Sequence, residues 1–268
     1  MAISAPAVIA LDALSFAIAV ALTAINRWDR PPPSPRDGPD RPPAVPRDGR
    51  DRPAGRRLAA GWAWLRGDRY VRPLTLYLAT NNLAAQAFQT ALLLFVVRTL
   101  DRGPAAVGLA VAATGCGFLA GALVSPGAAR RFGTGRVVIA ASLIGALGIA
   151  LVALAPAGTR SAGGAAELAL VLVGAGLAGA GSGLFNLHSI AIRQAITPPT
   201  LLGRVNAVVK TISYGSATAG AFLGGVAATA FGPRAVIATA AALSAAATTC
   251  LLTPPIRTLT TTPVREEV

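Results

Sequence analysis

"LALVLVGAGLAGAGSGLFNLHSIAI" (168–192) runs for 25 residues without an Asp, Glu, Lys or Arg. The placement of polar side chains separates the two kinds of helix that fit such a run. A helix covering a soluble core keeps a polar stripe at a 3.6-residue period. Here the residues are apolar or small almost all the way round, and the run exceeds the ~20 residues that cross the hydrocarbon core of a bilayer. Working outward, 73–97, 103–129, 137–159, 211–233 and 235–256 are also charge-free and long enough, and 1–25 carries a single charge, Asp12. The pattern predicts an all-α integral membrane protein with seven transmembrane helices. Composition agrees: of 268 residues 53% are hydrophobic and 13% charged, against about 25% charged in soluble domains. Mean hydropathy is +0.59.

The net charge of +13 raises the possibility of a nucleic-acid partner. Position argues against one, because the basic residues lie between the apolar runs and not on one face of a domain. With seven spans, alternate connections fall on two sides, and twenty of the 24 Arg and Lys residues occupy one of them: 27–72, 130–136, 193–210 and the tail from 257. Arg98, Arg102, Arg160 and Arg234 occupy the other. Basic connections stay in the cytoplasm, so the expected location is a cell (inner or plasma) membrane with the N-terminus outside and the C-terminus inside. Trp28, Trp62 and Trp64 flank the spans where indole rings favour the membrane interface.

Between the first two spans, 26–54 is rich in Pro, Arg and Asp with almost no large apolar residue. It cannot bury a core and reads as a disordered linker. In 55–71, Leu58, Trp62 and Leu65 share one helical face. That fits an amphipathic helix at the inner interface, or a plain lead-in to the next span. A six-helix unit over 72–256 and a cytoplasmic tail over 257–268 complete the organisation.

Small residues let helices approach closely in lipid. Gly117 with Gly121, Gly179 with Gly183 and Gly220 with Gly224 are small-xxx-small pairs, and they predict a tight bundle. Asn82, Gln86 and Gln89 stand at i, i+4 and i+7, one stripe of the second span. Polar groups at membrane depth need partners or water, so the stripe reads either as the wall of a wet substrate cavity or as glue between helices. Tyr214 faces the same cavity or the interface. Asp12 is the acid well inside a span and the candidate for proton coupling. His188 stands without a second ligand nearby, so no metal site is expected, and Cys116 and Cys250 read as buried thiols. No nucleophile–base constellation and no phosphate-binding loop appears, which excludes an ATP-driven motor and leaves no catalytic residues or cofactor to assign.

Next to the opening stretch, "RQAITPPTLLGRVNA" (193–207) interrupts the apolar sequence. Read on its own, it is a cytoplasmic turn: Pro198 and Pro199 stop one helix, Leu201–Gly203 form a short turn, Arg204 starts the next helix and Asn206 bonds across. In detail it resembles a signature of the major facilitator superfamily, in the drug- and siderophore-exporter branch. There the loop between helices ten and eleven reads approximately N-x-x-x-x-x-x-R-Q-x-x-T-P-x-x-L-L-G-R-x-N-A. Asn186, Arg193, Gln194, Thr197, Pro198, Gly203, Arg204 and Asn206 fit it. "ALDALSFAIAVAL" (10–22) resembles that branch's sixth helix and "GWAWLRGDRYVRPL" (61–74) the lead-in to its seventh. "GALVSPGAARRFGTGR" (121–136) keeps Gly121 and the basic pair Arg130 and Arg131 of the loop between helices eight and nine, but has Ser125 where an acid is usual.

The resemblance implies a chain equivalent to helices six to twelve of a major facilitator fold. It would be the C-terminal portion of a secondary-active, proton-coupled efflux transporter for a small, mostly apolar molecule or a siderophore. Its partners would be the lipid bilayer, that solute and a missing N-terminal half, with no nucleic acid. The alternative is a non-transporting remnant, or a regulatory half that pairs with an intact transporter.

Overall fold

A computed structural model describes residues 54–156, 164–257 and 259. The expected first span 1–25, with Asp12 and most of the linker, lies outside the described residues, as does the tail from 260. Helix α1 is Ala54–Gly67 and α2 Val71–Leu94, continuing into a wider π turn Phe95–Thr99. Then come α3 Pro104–Phe132, α4 Thr134–Ala153, α5 Gly164–Ile196 and α6 Pro199–Phe231. Helix α7, Pro233–Ala247, extends through a 3₁₀ turn Thr248–Leu252 to the short α8, Pro254–Arg257. No strand occurs among the described residues.

The helix starts follow local chemistry. Pro104, Pro199 and Pro233 each open a helix, where a fixed φ is an advantage and the missing N–H is not needed. Single glycines join α3 to α4 and α6 to α7: Gly133 and Gly232 have φ 84° and 85°, which a side chain would strain. Helix α6 begins at Pro199, so Leu201–Gly203, expected as a turn, is already helical. The Pro198 carbonyl accepts the Leu201 and Leu202 N–H groups and starts that first turn.

Four of these helices are long and apolar enough to cross a membrane: Pro104–Phe132, Thr134–Ala153, Ala165–Ile196 and Pro233–Leu252. They coincide with four of the expected spans. Helices α2 and α6, at 24 and 33 residues, have the length. They are less apolar because α2 carries amides and α6 carries Arg204, Lys210 and several hydroxyls. Large apolar side chains face outward along the bundle, among them Leu123, Phe222 and Phe231, each more than 70% exposed. A surface of this kind calls for an apolar surrounding.

Helix α5 lies between α3 and α4; α4 packs on α7, α7 on α2, and α2 on α6. The order α3–α5–α4–α7–α2–α6 reads the same backwards once α2 is exchanged with α5, α3 with α6 and α4 with α7. Gly117 and Gly121 of α3 meet Gly176 and Ala180 of α5, and Gly220 and Gly224 of α6 meet Leu83 and Ala87 of α2, so both pairs are parallel. Gly148 of α4 meets Gly174 and Ala178 of α5, whereas Gly181 meets Ala141, so α4 and α5 are antiparallel. Arg234 reaches Phe95 and Ser244 reaches Asn81, which sets α7 antiparallel to α2. Gly135 at the start of α4 packs on Ile256, beyond the end of α7, so α4 and α7 are antiparallel as well. The helices α2–α4 and α5–α7 are therefore two three-helix repeats of opposite direction, with their one-glycine turns in corresponding places.

All three glycine pairs expected from spacing sit at helix contacts. A Cβ on Gly117, Gly121, Gly179, Gly183 or Gly220 would collide with a carbonyl oxygen of the neighbouring helix. The second glycine face of α5, Gly174 and Gly181 against α4, was not singled out from the sequence. Every side of that stretch is small, so spacing alone does not say how many neighbours it has.

Candidate functional site

Helix α2 directs its amides to different neighbours. Asn81 Oδ1 accepts the Ser244 hydroxyl of α7 at 2.9 Å, and Asn82 Nδ2 donates to the Ser213 carbonyl of α6 at 3.5 Å. These two consecutive residues tie α2 to both of its partners. Further along the stripe, Gln89 is half-buried and Gln86 exposed, and neither side-chain amide has a hydrogen-bond partner among the described residues. Tyr214 follows Ser213 directly and is 69% exposed, so it stands beside the point where Asn82 meets α6. On α6, Thr211, Ser216 and Thr218 return their hydroxyls to carbonyls four residues back, at 2.7–2.9 Å. Such internal bonds let a hydroxyl-bearing helix sit in apolar surroundings.

The seam between α2 and α6 thus presents unpaired amides and a phenol at the surface of the bundle. They are not enclosed. A cavity of about 320 Å³ lies between α2, α6 and α7, lined by Leu83, Ala87, Leu223, Ala227, Val236 and Ala240 among others, and none of the amides borders it.

The expected loop signature forms a clamp at one end of the bundle. Arg193, half-buried on α5, donates through Nε to Asn206 Oδ1 of α6 at 2.9 Å. Thr197 Oγ1 donates to the Arg193 carbonyl at 2.6 Å, and Pro198 holds the first turn of α6. Arg204 is half-buried, with its backbone against Gly61 of α1. Asn186, Gln194 and Gly203 are exposed and stand apart from the clamp.

Gly121 packs on Ala180 near the middle of α5, while Arg130 and Arg131, at the end of α3, are exposed and Arg131 lies over the Phe132 ring at 5.4 Å. Buried Ser125 bonds His188 Nε2 of α5 at 2.8 Å and donates to the Leu184 carbonyl at 3.3 Å. The residue that replaces the usual acid is therefore a neutral link between α3 and α5. Nothing in the sequence pairs a serine with a histidine 63 positions away.

The opposite end holds two groups that sequence reading did not single out. Arg234 donates to the Ala155 carbonyl and lies over the Phe95 ring at 5.7 Å. Glu167, in the first turn of α5, is 4% exposed, and its Oε1 has no hydrogen-bond partner among the described residues. It stands one residue before the charge-free run 168–192, where an acid looks like the polar border of a span.

Among known families, the model described as transmembrane secretion effector matches residues 2–264. No curated protein and no solved structure matches the chain.

Proposed function

This chain belongs to the transmembrane secretion effector family of major facilitator-type transporters, and from that premise we propose that it is the C-terminal portion of a proton-coupled efflux transporter. The family supports a membrane transport role in general; the solute, the coupling and the relation to a second half are our reading. Transporters of this superfamily are a standard instance of nested inverted repeats that rock about a central site, and the two opposed three-helix repeats described above fit that construction.

The observation that carries the reading is the seam between α2 and α6. Asn82 spends its amide on α6, while Gln86 and Gln89, further along the same stripe of α2, have no side-chain partner among the described residues. Unpaired amides on a helix of span length are costly in lipid. They are accounted for if that surface faces a wet pathway whose other wall a partner half supplies. A small, mostly apolar solute or a siderophore would then hydrogen-bond to Gln86, Gln89 and Tyr214, with Asp12 as the proton carrier. The Arg193–Asn206 clamp would hold the angle between α5 and α6 as the halves move.

The test is a drug- and siderophore-accumulation assay in cells lacking their own exporters, with the chain expressed alone and together with a five-helix N-terminal segment from a relative. Accumulation should fall only when both are present, and the fall should vanish with Asp12→Asn. If both pieces reach the membrane and accumulation does not change, the chain is a non-transporting remnant or a regulatory half.

A further inference from the structure

Helix α1 has one face on the bundle and one face that no described residue covers. Gly61 packs on the Arg204 backbone, and Leu65 is buried with Val205, Val208 and Val209, so α1 rests along 204–209 of α6. The charge-free part of α6 begins at 211. At 1.5 Å per residue, α1 lies about 3–10 Å outside it. That is the depth of the headgroup layer, which reaches about 5–8 Å beyond the hydrocarbon.

Away from α6, Trp62, Arg66 and Arg69 are exposed. The face expected to carry both Trp62 and Leu65 is thus divided: Leu65 goes to the bundle and Trp62 to the outside. Arg66 lies over the Trp62 ring at 5.0 Å and Arg69 over the Tyr70 ring at 5.0 Å. A guanidinium stacked by its face keeps its N–H edge for bidentate contact with a phosphate or carboxylate. The nearby acid, Asp68, caps the start of α2: its Oδ1 accepts the N–H groups of Tyr70 and Val71 at 2.8 and 2.7 Å. Among the described residues no carboxylate pairs with Arg66, Arg69 or Arg72.

We propose that the outward face of α1, with the turn that follows it, is a binding site for anionic phospholipid headgroups. Arg66 and Arg69 take the phosphate and Trp62 seats at the boundary between headgroup and acyl chain. Net charge selects the lipid: a zwitterionic headgroup brings its own ammonium, whereas each arginine near an anionic surface strengthens attachment roughly fivefold. The proposal needs only that the chain sits in a bilayer, and holds whichever way transport turns out.

The experiment uses the full chain with Trp28→Phe and Trp64→Phe, so that Trp62 is the sole tryptophan and is excited selectively over tyrosine, in nanodiscs of phosphatidylcholine and phosphatidylglycerol. Bromine is placed on the acyl chains of one lipid or the other. Brominated phosphatidylglycerol should quench Trp62 about fivefold more strongly per mole than brominated phosphatidylcholine, the preference that a single arginine contributes. The preference should disappear in R66Q/R69Q, whose thermal unfolding should be unchanged because both side chains are exposed. Equal quenching by the two lipids overturns the proposal, as would be seen if an acidic protein segment were the natural occupant. A preference that survives R66Q/R69Q overturns it too. Should Trp64→Phe disturb folding, native mass spectrometry of the otherwise unchanged chain decides: R66Q/R69Q must lose phosphatidylglycerol adducts that R130Q/R131Q keeps.

Discussion

The seam between α3 and α5 and the seam between α2 and α6 occupy equivalent places in the two repeats, yet they are built differently. In the first, glycines stand on both helices: Gly117 and Gly121 face α5, and Gly179 and Gly183 face α3. Backbones approach to van der Waals contact from both sides. In the second, glycines stand on α6 alone, against Leu83 and Ala87 of α2, and an amide bridges the helices. The first seam is made mainly by removing side chains, with the Ser125–His188 link as its polar contact; the second keeps an amide at the contact. The contrast teaches that a tight bundle does not need amides for adhesion, since the amide-free seam is the closer of the two. Gln86 and Gln89, without partners among the described residues, are then better explained by what lies outside those helices.

The largest expected effect tests the closeness of the first seam. Gly179→Leu drives a side chain into the Thr114 carbonyl and should destabilise by about 3 kcal/mol or more, read as loss of monodisperse protein and a lowered Tm in detergent. Gly176→Ala is the control, since its Cβ would stand 3.6 Å from the Ala113 oxygen, an ordinary contact; its Tm should barely move. If both behave alike, the closeness of this seam is overstated.

Next in size is Asn81→Leu, which strands the Ser244 hydroxyl, 1% exposed, at a cost of about 1–3 kcal/mol. Asn82→Leu breaks only a long bond and should cost about 0.6 kcal/mol. Thermal melts of the two variants side by side check the difference, and a reversed order would place the main anchor of α2 on α6.

Ser125→Ala removes the link to His188 and should cost about 1 kcal/mol. Ser125→Asp restores an acid beside the histidine, and its melting temperature against Ser125→Ala shows whether the neutral pair suits this buried position better than a charged one. The smallest stability effect belongs to Gln86→Leu, within about 0.5 kcal/mol. In the two-piece accumulation assay the same change should reduce export severalfold. Unchanged export together with higher stability would mean that the stripe faces lipid and serves no solute.

Much of this architecture was legible in residue order. Charge-free runs marked the helices because a charge at bilayer depth is expensive. The glycine pairs marked close contacts because few other residues are so small. The Arg193–Asn206 clamp was half legible: both residues stood in the signature, and the turn between them was short enough to join them. The start of α6 was misplaced because Leu201–Gly203 looks like a turn when Pro199 is read as a stop, whereas proline at the first helical position is a start.

The sequence by itself determined that this is a bundle of apolar helices, roughly where each begins and ends, and that some faces come very close. Only the tertiary structure decided who the neighbours are. A helix apolar on every side has no polar stripe to say which face turns inward, and a glycine says that a backbone approaches without naming it. The opposed repeats, the division of Asn81 and Asn82 between two partners, and the Ser125–His188 link depend on residues up to 163 positions apart, joined by packing that no local pattern encodes.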